Sequence, residues 1–403
     1  MPEPAQAFTP GHRGSPSCAG HRMVGPAPVA SLLLGLLFAI AVGCGSTGEL
    51  NAGEAGNHSQ QGELARQNGA ADRSPQQIIE DAAGRSREQV RQAARSDDPF
   101  IRANAIEAAQ RLEGRITPLL QLGLEDDHPA VRFAALSSIG KLREEELLSG
   151  VRHVLEQEQE NEAALRRELR DRQRRLSDRQ RSRLHTQVEF SRSVQAAAYF
   201  ALARCEADVD LTPMASLLAS PDPSVRGNAA MLLGYLGDES AVPLLEEVAQ
   251  MPVRRAGDQQ RALVRVQIAE AILRLEDESA LDTLRAAAYS RHHEVRVLAI
   301  ETLGELGDRG MEGGLEEIVL EDRNNMELRL AAVWALARFG GSRGVELAYD
   351  AAESDDWRLR VWAARTLGLM EDAAAANRLV ALLEDPNERV RLQAAASVLA
   401  ARG

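Results

Sequence analysis

The chain has 403 residues, 44% of them apolar, enough to bury a large core, yet aromatic residues make up only 3%. The apolar content is therefore chiefly Ala, Leu and Val, which suits close-packed helices better than sheets. With 47 basic against 60 acidic residues the net charge is −13, which opposes phosphate-driven binding of nucleic acid, and the cysteines Cys18, Cys44 and Cys205 are too few for a disulfide framework. Lys141 is the sole lysine, a bias that points to a GC-rich bacterial genome.

Residues 29–42, VASLLLGLLFAIAV, form a short apolar run preceded by Arg13 and Arg22, the layout of a secretory signal peptide. Pro26 and Pro28 break the longer uncharged stretch from Val24 to Gly43, which argues against a membrane-spanning helix. The run ends in Ala41-Val42-Gly43-Cys44, which resembles the lipobox of bacterial lipoproteins, with Ala41 where that family usually has Leu. The resemblance implies a signal peptide over 1–43, cleavage before Cys44, lipid on Cys44, and an exported protein anchored in the cell envelope. A cleaved soluble protein and an uncleaved anchor helix are the alternatives, and Met1 or Met23 can be the start. Residues 44–73, rich in Gly, Ala, Asn and Gln, then read as a flexible tether with a root-mean-square span of roughly 30 Å.

From residue 74 to 403 the chain is repetitive. Segments such as DPSVRGNAAMLLG, HHEVRVLAIETLG and NERVRLQAAASVL align on Arg102, Arg132, Arg226, Arg265, Arg296, Arg329, Arg360 and Arg391, with Gln195 in a ninth copy. The period is near 31 residues, with extra sequence in two intervals. Counting from the arginine, positions −1, +3, +4 and +7 are apolar or Ala and line one face of a helix. Asp98, Asp222, Asp356, Asn325 and Asn387 stand four before it as N-caps, and Pro99, Pro129 and Pro223 fit the first turn. A second short apolar helix follows each, as in 241–250 and 375–384, and no segment reads as a strand.

This D-P-x-V-R helix start, repeated in phase, resembles the HEAT-like repeats, particularly the short bacterial type found in phycobilisome-lyase-related proteins. The resemblance implies an all-α fold, a right-handed α-solenoid of about nine helix–turn–helix repeats, with the repeat arginines bonding turn carboxylates of their own or the next repeat. One of the two insertions, at about 144–190, reads as a protruding helical hairpin, acidic at 156–162 and Arg-rich at 166–183, or else as a degenerate tenth repeat. The other, 251–260, reads as a widened loop.

Candidate chemistry reduces to structure. Gly340-Gly341-Ser342-Arg343-Gly344 matches a nucleophile-elbow pattern but lies between helices rather than after a strand. Cys205 aligns with Leu236, Leu306 and Met370 of other repeats and reads as core; His292 and His293 fall at an N-cap and first turn without metal-ligand spacing. No metal or cofactor is expected. The tryptophans Trp334, Trp357 and Trp362 lie in two neighbouring repeats. Trp334 is at +5 and Trp362 at +2, where other repeats carry Glu107, Glu270, Glu301, Asn104 or Gln267. That face reads as solvent-exposed, so Trp334, Trp362 and Arg365 are expected to form an exposed protein-binding patch, the alternative being mutual stacking of the tryptophans that stiffens the two repeats. The function expected is a non-catalytic, membrane-anchored scaffold or assembly factor for a protein partner, with no nucleic acid; the alternative, by resemblance, is a lyase or chromophore-handling protein.

Overall fold

The computed structural model describes residues 73–402, apart from positions 115, 173, 206–207, 254–255 and 322–324. The signal segment, Cys44 and most of the tether lie outside the described residues. Eighteen α-helices and no strand occur among those described. Helix α1 is Pro75–Ala93. The first helices, with the repeat arginine in all but α6, are α2 (Pro99–Ala108), α4 (Pro129–Leu142), α6 (Asp178–Arg204), α8 (Pro223–Leu236), α10 (Asp258–Arg274), α12 (His293–Leu306), α14 (Met326–Arg338), α16 (Trp357–Leu367) and α18 (Glu388–Ala400). The second helices are α3 (Thr117–Leu124), α5 (Leu148–Asp171), α7 (Thr212–Leu218), α9 (Val242–Gln250), α11 (Leu281–Ala287), α13 (Glu312–Leu320), α15 (Val345–Ala352) and α17 (Ala373–Ala381).

The first helices start where caps satisfy their free N–H groups. Asp98 Oδ1 accepts from Phe100 N at 2.8 Å, Asp222 from Ser224 N at 2.9 Å, and His128 Nδ1 takes the N–H of Ala130 at 3.2 Å. Their apolar faces pack in an even series, α2 on α4, α4 on α6, and on to α16 on α18. Small residues near their C-terminal ends set the spacing. A Cβ on Gly234 would stand 2.8 Å from the Ala271 backbone, and one on Gly140 would run into the Phe200 ring. The second helices lie outside, each packed on the first helix that follows it.

The extra residues after Arg132 lengthen two helices instead of adding a repeat. Helix α5 is the second helix of the Arg132 repeat, and α6 carries the Gln195 position in its C-terminal half. The two pack antiparallel, and Ser177 caps α6 in a reciprocal box with Gln180.

The expected α-solenoid is present, and its two ends meet. The array closes on itself. Helix α1 packs along α18 and against α17, and also touches α2. Against α18 it takes the place that a second helix holds in the other repeats. Its buried face is Ile78, Ile79, Ala82, Ala83, Ser86, Val90 and Ala93. Polar bonds border this seam: Arg402 clamps both carboxylate oxygens of Glu80 at 2.6 and 2.9 Å, Ser96 Oγ donates to Glu388 at 3.0 Å, and Arg85 reaches Glu384 at 3.2 Å. Gln89 donates to the Leu383 carbonyl, and Arg389 pairs with Asp98. The physical reason is geometric: nine first helices, each turned slightly from the last, complete a circuit, and the apolar edges left at the two ends bury each other.

Candidate functional site in the centre of the ring

Closure brings the +5 and +9 positions of the first helices together at the centre. They carry Glu107 on α2 and Arg111 in the 3-10 turn that follows it, Lys141 on α4, Tyr235 on α8, Glu270 and Arg274 on α10, Glu301 and Glu305 on α12, Trp334 and Arg338 on α14, and Arg365 on α16. Helices α2 and α12 are far apart in the even series, yet the charges of Glu107 and Glu305 act on each other.

Two ordered groups make up the cluster. In the first, Arg274 bonds Glu270 at 2.9 Å and Glu305 at 2.9 Å, and lies over the Tyr235 ring at 4.4 Å from its centroid. Lys141 Nζ sits over the same ring, also at 4.4 Å. In the second, Arg365 pairs with Glu301 and lies against both indoles, 4.6 Å from the Trp334 centroid and 4.4 Å from that of Trp362. The indoles meet edge to face at 6.5 Å and 68°. The Trp362 side chain also bonds Glu327.

This arrangement overturns the expected exposure of the tryptophans. Trp334 is 6% and Trp362 5% exposed. Positions +2 and +5 resemble solvated positions only in an open array; in the ring they face the interior. The double variant Trp334→Gln, Trp362→Gln should therefore lower thermal stability sharply, since truncating one buried Trp already costs about 3–5 kcal/mol. Circular dichroism melting checks this; an unchanged melting temperature would contradict the packing described.

Burial governs the protonation of the cluster. Glu107 is 2% exposed and neither carboxylate oxygen has a hydrogen-bond partner. Desolvation pushes its pKa up to about 8, with Glu305 adding to the rise and Lys141 opposing it. Burial likewise lifts Glu305 to about 7 against the pull of Arg274. It depresses Lys141, and it brings Arg111 down to about 10 together with the nearby charges of Arg365 and Arg338. Tyr235 Oη, Glu301 Oε2 and Arg338 Nε are also buried without a partner. Chemically the centre is a charge network in which burial favours the protonated forms of Glu107 and Glu305, and it draws side chains from seven first helices.

The repeat arginines lie elsewhere, all but Arg265 at the start of a first helix. Arg102 clamps Asp126 of the next turn at 2.7 and 2.9 Å and bonds the Ser96 carbonyl at 2.9 Å. Arg360 does the same with Asp385 at 2.7 and 3.0 Å and the Ser354 carbonyl at 2.7 Å. Arg132 takes the Asp126 carbonyl at 2.7 Å and pairs with Glu158; Arg226 takes Ser220 and Met251 carbonyls, both at 2.9 Å. Arg296 bonds Ala288, Arg329 bonds Val319 and Arg391 bonds Asp385, each through a carbonyl. Arg265 is exposed. Cys205 is buried, with its thiol pushed up by desolvation, and His293 pairs with Glu327 at 3.0 Å, which raises the imidazole pKa. No cluster of three or more metal-ligating residues occurs among the described residues.

The central network escaped the reading of the sequence. Its signal is the recurrence of charge at +5 and +9 along one helix edge, together with the placement of the only lysine there.

The family model for HEAT repeats matches residues 87–170, 183–258 and 314–400, more than half of the chain, and the protein belongs to the HEAT-repeat family. Such an array is in general a protein-interaction scaffold. An engineered protein of known crystal structure is 19% identical, over 47% of this chain and 97% of its own, with a TM-score of 0.29. No curated protein is significantly similar to the chain.

Proposed function

We propose that the protein is a non-catalytic scaffold or assembly factor, held at the cell envelope by lipid on Cys44 and engaging a protein partner through its repeat ring. The observation that carries the scaffold reading is the stacking of HEAT repeats into one closed body whose concave side is filled by its own side chains. A partner then meets the two faces of the ring, its outer helices or the long α5–α6 hairpin, rather than an internal groove. The anchor rests on the Ala41-Val42-Gly43-Cys44 junction and the tether behind it. Two acyl chains hold a protein at a bilayer where one does not.

Labelled fatty acid should enter the wild-type chain and leave Cys44→Ser unlabelled, with the wild type in the membrane fraction. A wild-type protein that takes up no label and fractionates as soluble contradicts the anchor. Capture of the detergent-extracted protein, followed by mass spectrometry, should return the same stoichiometric partner from independent preparations; a failure to do so contradicts the scaffold reading.

A further inference from the structure

The tip of the α5–α6 hairpin carries charge opposite to that of the rest of the molecule. Residues 163–183 hold nine arginines against Glu168, Asp171 and Asp178, an excess of six positive charges in a chain whose net charge is −13. Arg166, Arg167, Arg170, Arg172, Arg174, Arg175, Arg179 and Arg183 are all exposed. Ion pairs occupy Arg166, with Glu162 at 2.7 Å, and Arg172, with Glu168. Leu176, in the connection between the two helices, is buried, whereas the arginines on either side of it are exposed.

The tip also stands clear of the body. Helix α6 begins fourteen residues earlier, relative to its repeat position, than α8 does, as Asp178 and Pro223 show against Gln195 and Arg226. At 1.5 Å per residue this projects the tip by about 20 Å. The Debye length at physiological salt is about 8 Å, so an object touching the tip is screened from the acidic body.

We propose that this tip docks electrostatically on the anionic lipid headgroups of a membrane surface. A convex knob of exposed arginines meets a flat anionic sheet without bringing the body into contact. Nucleic acid fits the same knob poorly: residues 163–183 contain no aromatic side chain for base stacking, and a strand extended beyond the tip runs along acidic protein. Clusters of four to eight basic residues on a helix suffice for this kind of membrane recognition. The contact does not depend on lipid at Cys44.

The test uses the full chain carrying Cys44→Ser, so that no acyl chain contributes, and sedimentation with vesicles of phosphatidylglycerol and phosphatidylcholine or of phosphatidylcholine alone. Binding should require the anionic lipid and fall as salt rises. Replacing Arg167, Arg170, Arg174, Arg175 and Arg179 by Gln should weaken it at least about a hundredfold, from roughly fivefold per basic residue. The same five positions as Lys should restore binding, which separates loss of charge from loss of structure. Replacing the exposed Arg291, Arg309 and Arg343 by Gln should leave it within about twofold, which separates the patch from overall charge. Equal binding to neutral vesicles, full binding by the five-Gln variant, or tighter binding to duplex DNA than to anionic vesicles would overturn the proposal.

Discussion

Replacing Glu107 by Gln should stabilise the protein at pH 8 and leave it nearly unchanged at pH 5. Folded Glu107 titrates near 8 against an ordinary value of 4.5, because burial penalises its charged form. In the unfolded chain the carboxyl ionises above about 4.5. Between these values the folded state holds a proton that the unfolded state has lost, so stability falls as pH rises through the window and is fully present only below it. Over several pH units this amounts to a few kcal/mol. Glu305, lifted to about 7, adds loss of the same sign. Gln cannot ionise, so the variant should show a flatter pH profile from about 5 to 8 and a melting temperature several degrees above wild type at the upper end. Parallel profiles for the two proteins would mean that Glu107 is not buried as a neutral acid.

Val90→Asp should open the ring. Val90 is wholly buried in α1, and an unpaired carboxylate at such a site costs roughly 3–5 kcal/mol. Disruption of α1 withdraws the cover from α18, which lies some 300 positions away in the chain. Amide hydrogen exchange should therefore quicken in Glu388–Ala400 as well as in Pro75–Ala93, while α6 and α8 on the far side keep their protection. Loss of protection confined to residues 75–108 would describe an N-terminal helix docked on an open array.

The repeat itself was legible because its determinants are local. An Asp or Asn cap, a proline in the first turn and apolar positions at −1, +3, +4 and +7 define each first helix within a dozen residues. The joining of α1 to α18 has no such local mark. Ile78, Ile79 and Val90 look like any amphipathic stripe, and whether nine repeats complete a circuit depends on small rotations that accumulate over the whole array. The reading of the candidate site failed for the same reason. Charged residues such as Glu107, Glu270 and Glu301 at +5 indicate solvent when an array is open, so the tryptophans beside them looked exposed. Once the ring closes, the same helix edge becomes the interior, and acids, arginines and indoles pair there. The hairpin was legible in composition and capping, through Ser177 and Gln180, whereas its assignment to two lengthened helices required the packing of α5 on α6.

Ring closure is the claim on which the buried charge network and the reassignment of Trp334 and Trp362 depend. Pulsed electron paramagnetic resonance measures it directly, with spin labels on Glu80→Cys and Arg402→Cys and with Cys18, Cys44 and Cys205 replaced by Ser. Glu80 and Arg402 are salt-bridged at 2.6 Å, so the labels should give one narrow distribution at the shortest distances the method resolves. An open array of nine first helices spaced about 9–10 Å apart would separate its ends by roughly 80 Å, and a broad distribution at long distance would contradict the closed ring.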